Sequence, residues 1–99
     1  MISRQCPGIT SWEKAPVYIA HLQNDTFPQL SSMKGFIKAA MLKRNVPEGV
    51  EFLVITEWES LEDIKQFAGT DPNVAVVPAV VEEIMIRYDK VVKHYEIAG

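Results

Sequence analysis

At 99 residues the chain has room for one domain with one hydrophobic core, and none for separate catalytic and regulatory domains. Its 10 Lys and Arg against 13 Asp and Glu leave a formal charge of -3, which offers no general attraction to a phosphate backbone and sets nucleic acid aside as a partner. The stretch from Gly69 to Val81 is broken by Asp71 and two prolines, so no segment supplies the ~20 apolar residues needed to cross a bilayer.

A domain of this size buries only about 60 to 68% of the surface its unfolded chain exposes, while 47% of its residues are hydrophobic. Some of that apolar surface is expected to complete the fold at a subunit interface, so a homodimer is anticipated. Met1-Ile2-Ser3-Arg4 carries a charge where a secretory leader has an apolar run. The single cysteine, Cys6, can form no internal disulfide and no zinc site alone. Both features point to a cytoplasmic protein, with Cys6 read as a small half-buried strand residue before a reactive thiol.

Residues 2 to 10 are β-compatible around Pro7-Gly8, which predicts a first strand bent near Gly8 and therefore at or near a sheet edge or crossing a rim. Ala15, Tyr18, Ile19, Leu22 and Thr26 then recur at helical spacing, predicting a helix from about 13 to 29 with Pro16 in its first turn and Pro28 disturbing its end. Lys34-Gly35 makes a turn into a second strand from Phe36 to Arg44, and Val46-Pro47-Glu48-Gly49 reads as a hairpin loop. Val50 to Glu59, rich in β-branched and aromatic residues, is the third strand, antiparallel to the second.

Ser60-Leu61-Glu62-Asp63 reads as a helix N-cap with a carboxylate three residues on, opening a short helix that stops at Gly69. Thr70 to Asn73 is a break. Val77-Pro78 opens another helix, with Val81, Ile84, Met85 and Tyr88 as one apolar stripe, and Lys90 to Ile97 alternates as a fourth strand. The order strand, helix, strand, strand, helix pair, strand predicts an α+β ferredoxin-like split-βαβ domain. Its four-stranded antiparallel sheet carries the helices on one face and leaves the other for a second copy.

The run Glu57-Trp58-Glu59-Ser60-Leu61-Glu62-Asp63-Ile64-Lys65-Gln66-Phe67 resembles the strand-to-helix junction of the antibiotic biosynthesis monooxygenase family. Tyr18-Ile19-Ala20-His21-Leu22 is similar to the middle of that family's first helix, and Asp89 to Ile97 to its last strand, so the resemblance covers nearly the whole chain. It implies a dimeric α/β barrel made of two face-to-face sheets, with a pocket in each subunit between sheet and helices. It also implies oxygen chemistry on polycyclic phenols or quinols without metal or flavin, or, in another branch, haem degradation. The haem branch is poorly matched: no histidine occurs from Phe67 to Tyr88, and the first strand offers Ser3, Gln5 or Cys6 in place of its asparagine.

Trp58, at a strand end before a helix start, is positioned either to stack on a planar substrate or to close the sheet-helix gap as a core residue. His94 shares a strand face with Val92 and Glu96; it serves either as a base for a phenol or as a solvent or interface histidine. His21, three residues after Tyr18, either flanks the cavity or faces water. No combination of His21, His94, Cys6 and the carboxylates has a metal spacing, and the glycines at 8, 35, 49, 69 and 99 are too scattered for a phosphate loop, so no metal or nucleotide cofactor is expected. Lys34, Lys38, Lys43 and Arg44 read as guards on an edge strand rather than an RNA surface.

The reading that gathers these features is a cytoplasmic homodimer with a cofactor-independent oxygenase pocket for a planar phenolic or quinol-like molecule. His94 is its base, Trp58 its stacking wall, and Tyr18, Arg4 and Tyr95 its polar or anion-stabilising contacts, with His21 beside them. The competing expectation is a non-catalytic dimeric barrel that binds a small hydrophobic ligand or acts as a stress-related accessory domain.

Overall fold

In the computed structural model, which describes residues 1–99, β1 (Ile2–Thr10) runs through the interior of an antiparallel sheet. On one side it pairs along its whole length with β3 (Gly49–Trp58), which in turn pairs with the edge strand β2 (Phe36–Val46). On the other side two short strands share its edge: β4 (Met85–Tyr88) against Gly8 to Thr10, and β5 (Lys93–Glu96) against Ile2 to Gln5.

This arrangement overturns the expectation that a bend around Pro7-Gly8 sets the first strand at or near a sheet edge. A proline has no N–H to give a ladder, which makes it rare in interior strands. Here the missing donor lies on the side where the neighbouring strand is interrupted. The Pro7 carbonyl accepts from Asp89 N–H at 3.4 Å, at the gap between β4 and β5, and pairing with β3 is undisturbed. The strand expected over Lys90 to Ile97 forms as β5, and β4 is an additional strand from a stretch expected to be helical, so the sheet has five strands rather than four.

The helical elements all lie on one sheet face. α1 (Ala15–His21) has Pro16 in its first turn and continues without a break through a π-helical turn, Leu22–Thr26, into α2 (Phe27–Ser31). The wider turn, in which Phe27 N–H bonds the Leu22 carbonyl, accommodates Pro28, whose ring clashes with the carbonyl four residues back in a regular α-helix. α3 (Leu61–Ala68) is capped by Ser60, whose hydroxyl accepts from Asp63 N–H at 3.2 Å, as the sequence predicts.

α4 (Ala79–Glu82) is a single turn, and the expected apolar stripe through Tyr88 does not form a helix. Met85 to Tyr88 instead takes the free edge of β1, where main-chain bonds outweigh a local preference spread over β-branched residues. No helix is long and apolar enough to cross a membrane.

Alternation along β3 separates two faces. Val50, Phe52, Val54, Thr56 and Trp58 are buried beneath the helices; Glu51, Leu53, Ile55 and Glu57 are half-buried on the other face. The first set nucleates two packed groups, one around Phe52 with Tyr18 and Leu22, the other around Trp58 with Leu30 and Ile64. Each large side chain taken fully out of water contributes about 1.5–3 kcal/mol. The uncovered face carries Ala40, Leu42, Leu53 and Ile55, flanked by the Lys38–Glu57 and Arg44–Glu51 ion pairs at 3.4 and 2.5 Å.

Candidate functional site

Between the two packed groups, where α1, the π turn, α3 and the loop before α4 meet the sheet, lies a cavity of about 60 Å³, within a cleft of about 520 Å³ once its open mouth is included. Eight of its 13 lining residues are apolar, so the few polar atoms decide what it holds. Those atoms come from Arg4, Cys6, Tyr18, His21, Thr26 and Thr56. No Asp or Glu lines it.

Arg4 and Thr56 are register partners on β1 and β3, and Cys6 lies two residues from Arg4 on the same face. Arg4 is only 4% exposed and takes part in no ion pair. Its guanidinium donates to the Pro72 and Val74 carbonyls, the latter at 3.0 Å, and to His94 Nε2 at 3.0 Å, and it stands 5.9 Å from the Phe67 ring centroid. It thus ties the loop after α3 to the sheet. Burial holds the guanidinium below its ordinary pKa, opposed by Cys6.

A guanidinium has donors only, so His94 Nε2 accepts and the ring proton sits on Nδ1, which donates to Asn73 Oδ1 at 3.2 Å. Burial, and then the charge of Arg4, hold His94 below its usual value. His94 therefore faces the helix side of the sheet, but its lone pair is engaged and it meets the cavity through Arg4. It is not itself a lining residue.

Tyr18 packs edge-on against Phe52 with ring centroids 4.9 Å apart, and burial raises its phenol well above the ordinary value, so its hydroxyl stays a donor. Burial also raises the Cys6 thiol, with Arg4 acting against it and Asp89 with it. His21 lines the cavity and the groove at its mouth, with Nδ1 3.7 Å from Asp25 Oδ2 one helical turn on. That spacing of four residues was visible in the sequence; Asp25, Thr56 and Asn73 were not singled out there.

Trp58 is fully buried in the second packed group, edge-on to Phe36 at 5.4 Å, and it does not line the cavity. Its Nε1–H donates to Thr56 Oγ1 at 2.9 Å, so it reaches the cavity through that hydroxyl. Tyr95 follows His94 by one residue and so projects from the opposite sheet face, where it is half exposed. The structure thus gathers Arg4, Tyr18 and His21 at one cavity, holds His94 and Trp58 one contact behind it, and leaves Tyr95 apart. No three His, Cys, Asp or Glu side chains converge.

Fold and site together define a class of protein: a ferredoxin-like split-βαβ domain with a small polar-anchored cavity between its helices and one sheet face. Among solved structures, the chain is similar to that of a Bacillus cereus protein described provisionally as an antibiotic biosynthesis monooxygenase, with a TM-score of 0.66 and 16% identity over 99% of this chain and 91% of that one. That likeness is one of fold, the fold that the Glu57 to Phe67 resemblance implied. No family model matches the chain, and no curated protein does.

Proposed function

We propose that the cavity is the active site of an oxygenase that acts without a bound cofactor on a phenolic or quinol-like molecule. The observation that carries this reading is the joining, in one apolar cavity, of a histidine flanked by a carboxylate with a fixed cation. His21 takes the substrate's hydroxyl proton, Asp25 supports the charge that forms on the imidazole, and Arg4 holds the resulting oxyanion. The electron-rich anion supplies the electrons itself: a ring C–H carbon is oxidised to a carbonyl, one oxygen atom of O2 enters the product, and the other leaves as water. His94 is a positioning residue that acts through Arg4, and Trp58 one that acts through Thr56.

The working unit in this reading is a homodimer joined across the uncovered sheet face. That face has an apolar centre of Leu42, Leu53 and Ile55 between charged pairs, a pattern suited to a second copy whose own pairs meet the rim.

The size of the enclosed space supports a second reading. Ligand pockets commonly run to about 300–1,000 Å³, against about 60 Å³ here. A non-catalytic binder of a small apolar molecule therefore fits the cavity as it stands, whereas a polycyclic substrate needs the Val76 to Pro78 segment to move outward.

Oxygen uptake by the purified protein with a panel of mono- and polycyclic phenols and quinols separates the two. Uptake with product quinone, lost in His21→Gln, supports the oxygenase. Binding of panel members without uptake leaves the non-catalytic reading.

A further inference from the structure

Resting on the assignment of this cavity as the ligand site, we propose that it selects a compact organic monoanion, with a carboxylate or other ionised oxygen held between Arg4 and Thr56. Four observations converge on that class. Arg4 is a buried cation that forms no ion pair, and a charge taken out of water without a counterion is costly unless something supplies one. Its partners inside the protein, two carbonyls and an imidazole nitrogen, are all neutral acceptors.

Second, the guanidinium has donors to spare. Its three protein contacts run from Nη1 and Nη2, and none runs from Nε. Because no fully buried side-chain nitrogen or oxygen lacks a partner, Nε keeps some accessible surface rather than being sealed in protein, and Arg4 is a lining residue of the cavity. A planar anion has two oxygens to offer a planar fork.

Third, the neighbouring polar atoms present protons. Thr56 Oγ1 already accepts from Trp58 Nε1–H, which leaves its own O–H to donate. Tyr18, kept protonated by burial, offers a second hydroxyl from the helix side.

Fourth, the lining has no carboxylate to compete for Arg4 or repel an anion, and its majority of apolar residues suits a hydrocarbon body. A neutral apolar ligand leaves the buried charge unmatched, and a cation meets it head-on. A dianion exceeds what the single cation lining the cavity neutralises, and an enclosed volume of about 60 Å³ favours a compact body that extends into the open mouth.

The test is isothermal titration of the protein with benzoate and with benzamide, a neutral molecule of nearly the same shape, repeated with Arg4→Gln. Benzoate is expected to bind at least about tenfold more tightly than benzamide, and the preference to vanish in Arg4→Gln. Equal affinity for the two probes, no binding of either, or a preference unchanged in Arg4→Gln overturns the proposal. Should Arg4→Gln fail to fold, the matched pair on the wild-type chain still decides. Benzoate selectivity without oxygen uptake on the phenol panel removes the oxygenase and keeps the anion site. Uptake without benzoate selectivity does the reverse.

Discussion

Nη1 of Arg4 lies 3.0 Å from Nε2 of His94, two basic side chains in direct contact on neighbouring strands. The contact is attractive only while the imidazole is neutral and accepts; a protonated ring places two cations side by side. The same His94 ring donates to Asn73, and Arg4 holds the Pro72 and Val74 carbonyls, so one histidine ring controls how the loop before α4 is fastened.

Stability should fall as pH drops below the ordinary histidine range. The folded-state pKa of His94 is lowered, so between the folded value and the unfolded value near 6.5 the unfolded chain binds more protons, and stability decreases with decreasing pH through that window. Urea midpoints measured from pH 7.5 down to pH 5 should decline in the wild type and decline less in His94→Gln. Parallel curves for the two proteins contradict this.

Thr56→Val keeps the shape of the side chain and removes the acceptor for Trp58 Nε1–H, which is buried. An unsatisfied buried donor costs about 1–3 kcal/mol, so the urea midpoint should fall by that equivalent. Tryptophan emission should shift as the indole loses its partner. Trp12, more than half exposed, is removed in a Trp12→Phe background so that the signal reports Trp58.

Gly35 and Gly69 separate backbone strain from collision. Both have positive φ, +79° and +87°. A Cβ at Gly35 comes 2.1 Å from Asp63 Oδ2, beside the α3 cap, while a Cβ at Gly69 meets nothing within 4 Å. Gly69→Ala should cost about 1–2 kcal/mol from conformation alone. Gly35→Ala should cost at least about 1 kcal/mol more, because the cap at Ser60 and Asp63 must shift as well. Equal costs in denaturant melts contradict the cap argument.

In the proposed reaction, His21→Gln removes the base and should lower kcat by about 10²-fold or more. Asp25→Asn keeps the base and removes its charged support, so a smaller loss in kcat with little change in KM is expected. If His94→Gln lowers kcat as far as His21→Gln while leaving the urea midpoint unchanged at pH 7.5, the base is His94 instead.

For the proposed dimer, Leu42→Lys sets a charge on the uncovered sheet face, where Leu42 is 52% exposed in the single chain. Light scattering should then show the dimer dissociating at concentrations where the wild type stays paired. A monomeric wild type removes the dimer from the proposal.

Much of the fold was legible because it is written in short-range patterns. Tyr18 and Leu22 fall at helical spacing, Phe52 to Trp58 at strand spacing, and Ser60 stands three residues before Asp63; each of these forms as the pattern dictates. The region after Val77 was misread where the pattern is ambiguous. Val81, Ile84, Met85 and Tyr88 suit a helix face, yet Met85 to Tyr88 pairs with β1, because the free main-chain edge of a distant strand is invisible to local periodicity.

The candidate site divides the same way. His21 and Asp25 belong to one helical stretch, so their approach at 3.7 Å follows from four-residue spacing alone. Arg4 and His94, or Trp58 and the cavity wall it supports through Thr56, depend on strand register, which a single residue's slip would invert.

The sequence by itself determined the elements from β1 to α3, their order and the one-sided amphipathicity that makes this a split-βαβ domain, because helix caps, turn glycines and hydrophobic period act over a few residues. Only the tertiary structure decided that Pro7 lies in an interior strand opposite a gap, that the His94 lone pair is engaged by Arg4, and that a cation without a counterion lines the cavity. Those are relations between residues up to 90 positions apart, fixed by which strands pair and in what register.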